Sequence, residues 1–327
     1  MRLNLRKAWL FSPAIDIFIF VLVPLLTYLF AVIFSGNDDS WGPYVTILMI
    51  VFEYSHLTTT AVPVYIRHKK QSMSSVFLVG LVTFIPLASI IIYNSNFTFF
   101  QTMAVVLVSQ HIIRQMYGWL IVSQRDEEKS FIKFHDVVLF YGVTVFPFLY
   151  NYTESSAHER PFFFEPGDTQ FLLFSSTIAN IFYSCFLGSI VFFIIFEIKN
   201  ILKTRELIIT KYLIFFCAMF CFSYCYLLAP IVLYWLPQSI QHGVSYHVFN
   251  MRHIKNNLPG TIISKNYFYI PIFIILGGTH FYAGKIFFVD YELFTRFFWP
   301  LLWSIAFIHY TLDIFIWKGV NMRGVKL

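Results

Sequence analysis

The chain has 327 residues, 58% of them hydrophobic, 21% aromatic and only 12% charged, with a mean hydropathy of +0.67 and a formal net charge of +6. That balance excludes a soluble globular domain, since several windows of about 20 nearly uncharged residues match a hydrocarbon core roughly 30 Å thick. The positive charge does not point to nucleic acid, because the basic residues sit at the ends of apolar runs and no nucleic-acid motif accompanies them.

The apolar runs show no strand alternation and are about twice the length of a transmembrane β-strand, so an all-α polytopic bundle is expected rather than a barrel. In chain order the spans are expected at 13–34, 44–66, 74–93, 98–122, 137–152, 170–197, 211–229, 231–251, 267–284 and 297–317. The first carries Arg2, Arg6 and Lys7 ahead of it and lacks a small-residue cleavage site, so it reads as a retained helix. Between the seventh and eighth, Pro230 and Pro237 interrupt one long run, and a single kinked helix is the competing reading. No soluble appendage is evident, and residues 1–327 are expected to form one integral membrane domain.

Basic residues recur at the N-terminus, after the second span (Arg67, Lys69, Lys70), after the fourth (Arg125, Lys129, Lys133), after the sixth (Lys199, Lys203, Arg205), after the eighth (Arg252, Lys255) and at the C-terminus (Lys318, Arg323, Lys326). Ten spans with both termini in the cytoplasm satisfy the positive-inside rule at every loop, as expected of a multi-pass protein of a bacterial inner membrane.

Ionisable groups inside a bilayer are costly, so each one is a functional candidate. His56 lies in the second span, His111 in the fourth, His242 and His247 in the eighth, and His309 with Asp313 in the tenth. His56, His111, His242 and His309 each lie about 13–21 Å along their helices from the first basic residue at the cytoplasmic end, so these histidines share one layer of the membrane. Glu53 precedes His56 in an E-x-x-H spacing, which sets a carboxylate and an imidazole on one helix face as in di-iron carboxylate bundles. His242 and His247 are about 140° apart on a regular helix. Both reach one centre only if the helix is distorted at Gly243; otherwise one lies behind the other, with His247 the expected ligand. Asp313 follows His309 by one turn and is expected either to bind the same ligand or to pair with His309.

Glu53, His56, His111, His242, His247, His309 and Asp313 are therefore the candidate metal ligands. Imidazole with carboxylate suits iron, zinc or manganese, and the absence of H-E-x-x-H favours one or two non-heme iron atoms. Gln110, Arg114 and Gln115 flank His111, and Gln241 precedes His242. Arg114 and Gln115 are candidate catalytic groups that orient a substrate head group or stabilise reduced oxygen, while the glutamines are candidates for orienting an imidazole. Asp16 is a candidate outer partner. The 41 phenylalanines and 20 tyrosines are consistent with an apolar tunnel for a lipid-like or isoprenoid substrate, alongside membrane lipids and an electron donor.

The other histidines read as surface or interfacial: His68 and His253 among basic residues, His135 and His158 in loops, His280 near an outer helix end. Cys217, Cys221 and Cys225 share one helix face, where close packing of small residues explains them better than a soft metal.

A polytopic chain of this length, with isolated histidines gathered at one depth on several helices, resembles the Brp/Blh-type carotene dioxygenases. The resemblance is architectural and implies a histidine-bound iron that cleaves a carotenoid; it carries over no catalytic residue. The clustered H-x-x-x-H and H-x-x-H-H boxes of membrane desaturases are missing. The leading expectation is a membrane-embedded iron oxidoreductase. A proton- or metal-ion transporter, a b-type heme protein and a structural protein are the alternatives.

Overall fold

The computed structural model describes residues 4–6, 9–35, 42–69, 74–124, 133–150, 175–228, 235–286 and 292–319. The expectations placed on Pro230, on His158 and its loop, and on both chain ends lie outside the described residues, as does the side chain of His280.

Helices dominate. The first rod joins α1 (Pro13–Ile17) to α2 (Val23–Ser35) through a π-helical segment, Phe18–Leu22. Ser12 caps its start by accepting from the Ile15 amide at 3.3 Å. The second rod runs α3 (Gly42–Leu48), a π segment (Met49–Tyr54), α4 (Ser55–Thr59) and α5 (Ala61–Lys69). Single helices follow: α6 (Ser75–Ser95), α7 (Phe97–Ser123), α8 (Phe134–Tyr150) and α9 (Ser176–Thr204). α10 (Ile209–Ala218) continues as a π segment, Met219–Leu228, and α11 (Leu236–Asn257), α12 (Asn266–Ile286) and α13 (Glu292–Gly319) complete the bundle.

The all-helical expectation needs one small amendment: β1 (Asn4–Arg6) pairs in parallel with β2 (Glu206–Ile208). This short ribbon joins the segment before the first rod to the connection between α9 and α10.

Among the described residues, five helical stretches are long and apolar enough to cross a membrane: Pro13–Ile33, Ser75–Ser95, Phe97–Ser123, Ser176–Thr204 and Ile209–Leu227. Other rods carry more polar residues, as α11 does with Gln238, Gln241, His242, His247 and Asn250.

A straight continuous helix through the seventh and eighth spans is excluded, while Pro230 and its neighbours lie outside the described residues. Gln238 donates to the Tyr226 hydroxyl at 2.7 Å, although twelve residues of one continuous helix would separate them by about 18 Å. Pro237 stands in the first turn of α11, where its missing amide costs nothing.

α11 is the central helix. Every residue from Leu236 to Tyr246 is buried, as expected of a helix surrounded by protein. Gly243 lets it approach the second rod: a Cβ there would overlap the Phe52 carbonyl. Gly277 does the same for α12 against the backbone of Ser55. Cys217, Cys221 and Cys225 are buried in the main core, in keeping with a packing role.

Candidate metal centre

Four histidines from four rods meet in the interior. His56 comes from α4, His111 from α7, His242 from α11 and His309 from α13, and each offers a ring nitrogen within 4.8 Å of the others'. The rings form a closed circuit. Centroids lie 4.6 Å apart for His56 and His242, 4.8 Å for His242 and His111, 4.6 Å for His111 and His309, and 4.9 Å for His309 and His56. The Nε2 atoms of His56 and His242 are 3.1 Å apart, as are those of His111 and His309. A tetrahedral ion with bonds near 2.1 Å would set its ligands roughly 3.4 Å apart, close to the separation within each of these two pairs.

The outer nitrogens fix two of the rings in the form that binds a metal. His56 Nδ1 lies 3.3 Å from the Phe52 carbonyl, which can only accept, so Nδ1 carries the proton and Nε2 presents a lone pair inward. His309 Nδ1 bonds Thr60 Oγ1, which lies 3.0 Å from the Tyr246 hydroxyl, and Tyr246 donates to Asp313 Oδ1 at 2.9 Å. Because the carboxylate accepts, each hydroxyl upstream donates in turn, and His309 Nδ1 is the first donor of the chain. His309 Nε2 is thereby also a lone pair aimed at the centre. Tyr310 stacks on the His111 ring at 4.4 Å. His242 Nδ1 is buried and has no hydrogen-bond partner among the described residues, so the histidine circuit does not satisfy all its own polar atoms.

The choice between His242 and His247 reverses. α11 stays α-helical through Gly243, so only one of the two histidines can enter, and it is His242. Gly243 supplies close approach instead of distortion. His247 lies between Ser55 Oγ at 2.7 Å and the Tyr269 hydroxyl at 3.2 Å, joining the second rod to α12.

Glu53 and Asp313 stand outside the four-histidine group. Glu53 Oε2 is 3.7 Å from His56 Nδ1, behind the ring and away from its inward nitrogen. The π segment ending at Tyr54 changes the helical phase between the two residues, so the E-x-x-H spacing does not aim both at one point. Asp313 Oδ1 is 3.9 Å from His309 Nδ1, too far for a direct bond, and Oδ2 is 3.8 Å from His111 Nε2.

Gln115 donates to the His242 carbonyl at 3.3 Å and to Ser245 Oγ at 3.0 Å, tying α7 to α11. Neither Gln110 nor Gln241 is hydrogen-bonded to an imidazole among the described residues; Gln110 lines the cavity described below and Gln241 Nε2 has no partner there. Asp16 does not serve the centre: its carboxylate accepts from the Leu10 and Phe11 amides at 2.7 and 3.1 Å.

A cavity of about 940 Å³ reaches the centre from the side, between α6, α7, α8 and α13. His111 and Asp313 line its inner part, with Gln110, Arg114 and Gln115 on the same wall as His111. The rest is largely apolar, including Phe84, Ile92, Leu107 and Phe148.

A second buried polar group was not legible in the sequence. His135 belongs to the first turn of α8, not to a loop, and its Nε2 lies 2.8 Å from Glu197 Oε2 and 3.6 Å from Asp136 Oδ1. Lys211 Nζ joins both acids, 3.1 Å from Asp136 Oδ1 and 2.6 Å from Glu197 Oε1, and Tyr212 also bonds Glu197. A lysine ammonium thus fills the position between the carboxylates that a cation would take.

No known protein family, curated protein or solved structure matches this chain. The class defined by fold and site is a multi-helix bundle with membrane-length apolar helices and a buried centre of four histidines.

Proposed function

We propose that the chain is a ten-span protein of a bacterial inner membrane, with both termini cytoplasmic, and that it is a non-heme iron oxidoreductase acting on an apolar, lipid-like or isoprenoid substrate. The observation that carries this reading is the junction of cavity and centre: the apolar cavity ends on His111, one of the four converging imidazoles. A purely structural ion would be enclosed on all sides, whereas a catalytic one needs an approach for substrate.

His56, His111, His242 and His309 would hold the ion, and iron bound there would supply the redox chemistry with dioxygen, drawing electrons from an external donor. Four neutral imidazoles leave the ion's double positive charge uncompensated in a low-dielectric interior. Glu53 and Asp313, each within 3.9 Å of a ligand histidine, would balance it. The chain's own groups then have distinct tasks. Phe52 and Thr60 hold rings in orientation, Gln115 fixes the backbone of His242, and the cavity wall excludes water around an apolar chain. Zinc would suit the imidazoles too but has no redox chemistry, and manganese, which has, is told from iron by elemental analysis.

A b-type heme fits poorly, because ring centroids less than 5 Å apart around the whole circuit leave no slot for a porphyrin. A second reading, a proton or metal-ion transporter, would use the same buried groups, although the path from His309 through Thr60 and Tyr246 to Asp313 begins and ends one turn apart on α13. Elemental analysis with an absorption spectrum of protein purified in mild detergent tests the assignment. One or two iron atoms per chain without a heme band are expected; zinc alone, or no metal, would sink it. Flux measured in proteoliposomes would reveal the transporter. Reporter fusions after Lys69, Arg125, Arg205 and Lys255 should read cytoplasm, and those near Asp38 or Ser155 the opposite side. A cytoplasmic signal at Ser155 would overturn the ten-span arrangement.

A further inference from the structure

Arg114 is not used by the histidine centre. It sits on α7 three residues after His111, about 4.5 Å further along the helix axis, and lines the same cavity. It is exposed to that space and has no ion-pair or hydrogen-bond partner among the described residues. An arginine in the interior of a 27-residue apolar helix is costly without a counter-charge.

The cavity indicates what brings that charge. Its volume of about 940 Å³ lies at the upper end of small-molecule pockets, and its wall is mostly hydrocarbon. Its mouth is on the outer apolar surface, since the lining residues Phe84 and Val106 are 72% and 43% exposed. Gln110, one turn before Arg114, adds an amide to the same wall. Asp313 is the other formally charged residue among those lining the cavity, and it disfavours a second negative charge on the ligand.

We propose that Arg114 is the subsite for the head group of a single-chain, monoanionic amphiphile, a long-chain carboxylate that enters from the lipid with its tail along the apolar wall. The planar guanidinium matches a carboxylate through two parallel hydrogen bonds. This names the substrate class for the proposed oxidoreductase and rests on that reading for its consequence, but binding itself requires no metal. A head group held one turn from His111 presents the first carbons of the chain to the centre.

The test uses full-length protein in zwitterionic nanodiscs and a hexadecanoate spin-labelled near the tail end, displaced by unlabelled hexadecanoate, its methyl ester or hexadecyl phosphate. Hexadecanoate should displace the probe at least about tenfold more effectively than the ester. Arg114→Gln should bring acid and ester within about twofold of each other, and Arg114→Lys should keep a partial preference of roughly threefold. Unchanged preference in Arg114→Gln, or no preference in the wild type, overturns the proposal. Stronger displacement by hexadecyl phosphate overturns the carboxylate assignment. Should Arg114→Gln fail to fold, Arg114→Lys decides alone: a preference equal to wild type counts against the planar pairing. Iron content measured on the same samples separates the two readings. Protein without iron that still prefers the acid sinks the oxidoreductase and not the subsite, and iron-loaded protein without the preference does the reverse.

Discussion

Gly243 rests against the backbone of Phe52, so that a side chain at 243 would overlap the Phe52 carbonyl oxygen. That carbonyl is also the one that orients His56, and the neighbouring His242 meets His56 at 3.1 Å. One glycine thus sets the separation of two rods that each deliver a histidine.

Gly243→Ala should therefore force α11 away from the second rod. The expected cost is about 1–3 kcal/mol in unfolding stability, together with weaker metal binding, since two facing imidazoles separate. Gly188→Ala is the control: nothing lies within 4 Å of the added methyl, so only the helix preference for alanine acts, stabilising by roughly 0.5–1 kcal/mol. Thermal unfolding in detergent with metal analysis checks both. Equal behaviour of the two variants would refute the close approach.

His242 and His247 should separate cleanly. Replacing His56, His111, His242 or His309 by Ala should each lower iron content, because each removes one of four converging donors. His247→Ala should keep the iron and lose stability by about 1–3 kcal/mol, because it leaves Ser55 and Tyr269 without a shared partner. Iron lost in His247→Ala and kept in His242→Ala would restore the opposite assignment.

The convergence of His56, His111, His242 and His309 was readable from the sequence because distance along a helix is fixed at 1.5 Å per residue. Rotation was harder. For α11 the 140° between His242 and His247 left open a distorted helix that would admit both and otherwise pointed to His247, whereas His242 is the one that joins the group, because the rotation depends on where Gly243 meets its neighbour. For the second rod the π segment Met49–Tyr54 alters the turn angle, and nothing in "MIVFEY" announces it. The relay through Thr60 and Tyr246 was missed because hydroxyls carry no cost in a hydropathy reading. His135 was missed for a related reason: its partners Glu197 and Lys211 are far away in sequence, and only packing of α8, α9 and α10 unites them.

That second group supplies a stability prediction independent of the metal. Lys211 is buried between Asp136 and Glu197, so Lys211→Met would leave two buried carboxylates without their shared cation. A loss of about 3–5 kcal/mol is expected. Adding Glu197→Gln should recover part of it by removing one of the stranded charges. Iron content should not change in protein that remains folded. A neutral Lys211→Met would mean that the cluster contributes nothing to holding α8, α9 and α10 together.

The last prediction asks whether Asp313 binds metal or serves His309. Its Oδ1 accepts from Tyr246, and the path runs on through Thr60 to His309 Nδ1, whereas the direct distance to that nitrogen is 3.9 Å. If the path sets the orientation and basicity of His309, cutting it at either point should have a similar effect. Tyr246→Phe and Asp313→Asn should each weaken metal affinity by about 10–100-fold, the range for loss of a partner behind a ligand. The double variant should be little worse than either single one, because the second cut falls on a path already broken. A ligand role predicts another pattern. Asp313→Asn would abolish binding, Tyr246→Phe would leave it close to wild type, and the double variant would match Asp313→Asn. His309→Gln anchors the comparison, since both readings require His309 to hold the ion. If that variant keeps its metal, the relay ends on a packing residue, and the site reduces to His56, His111 and His242.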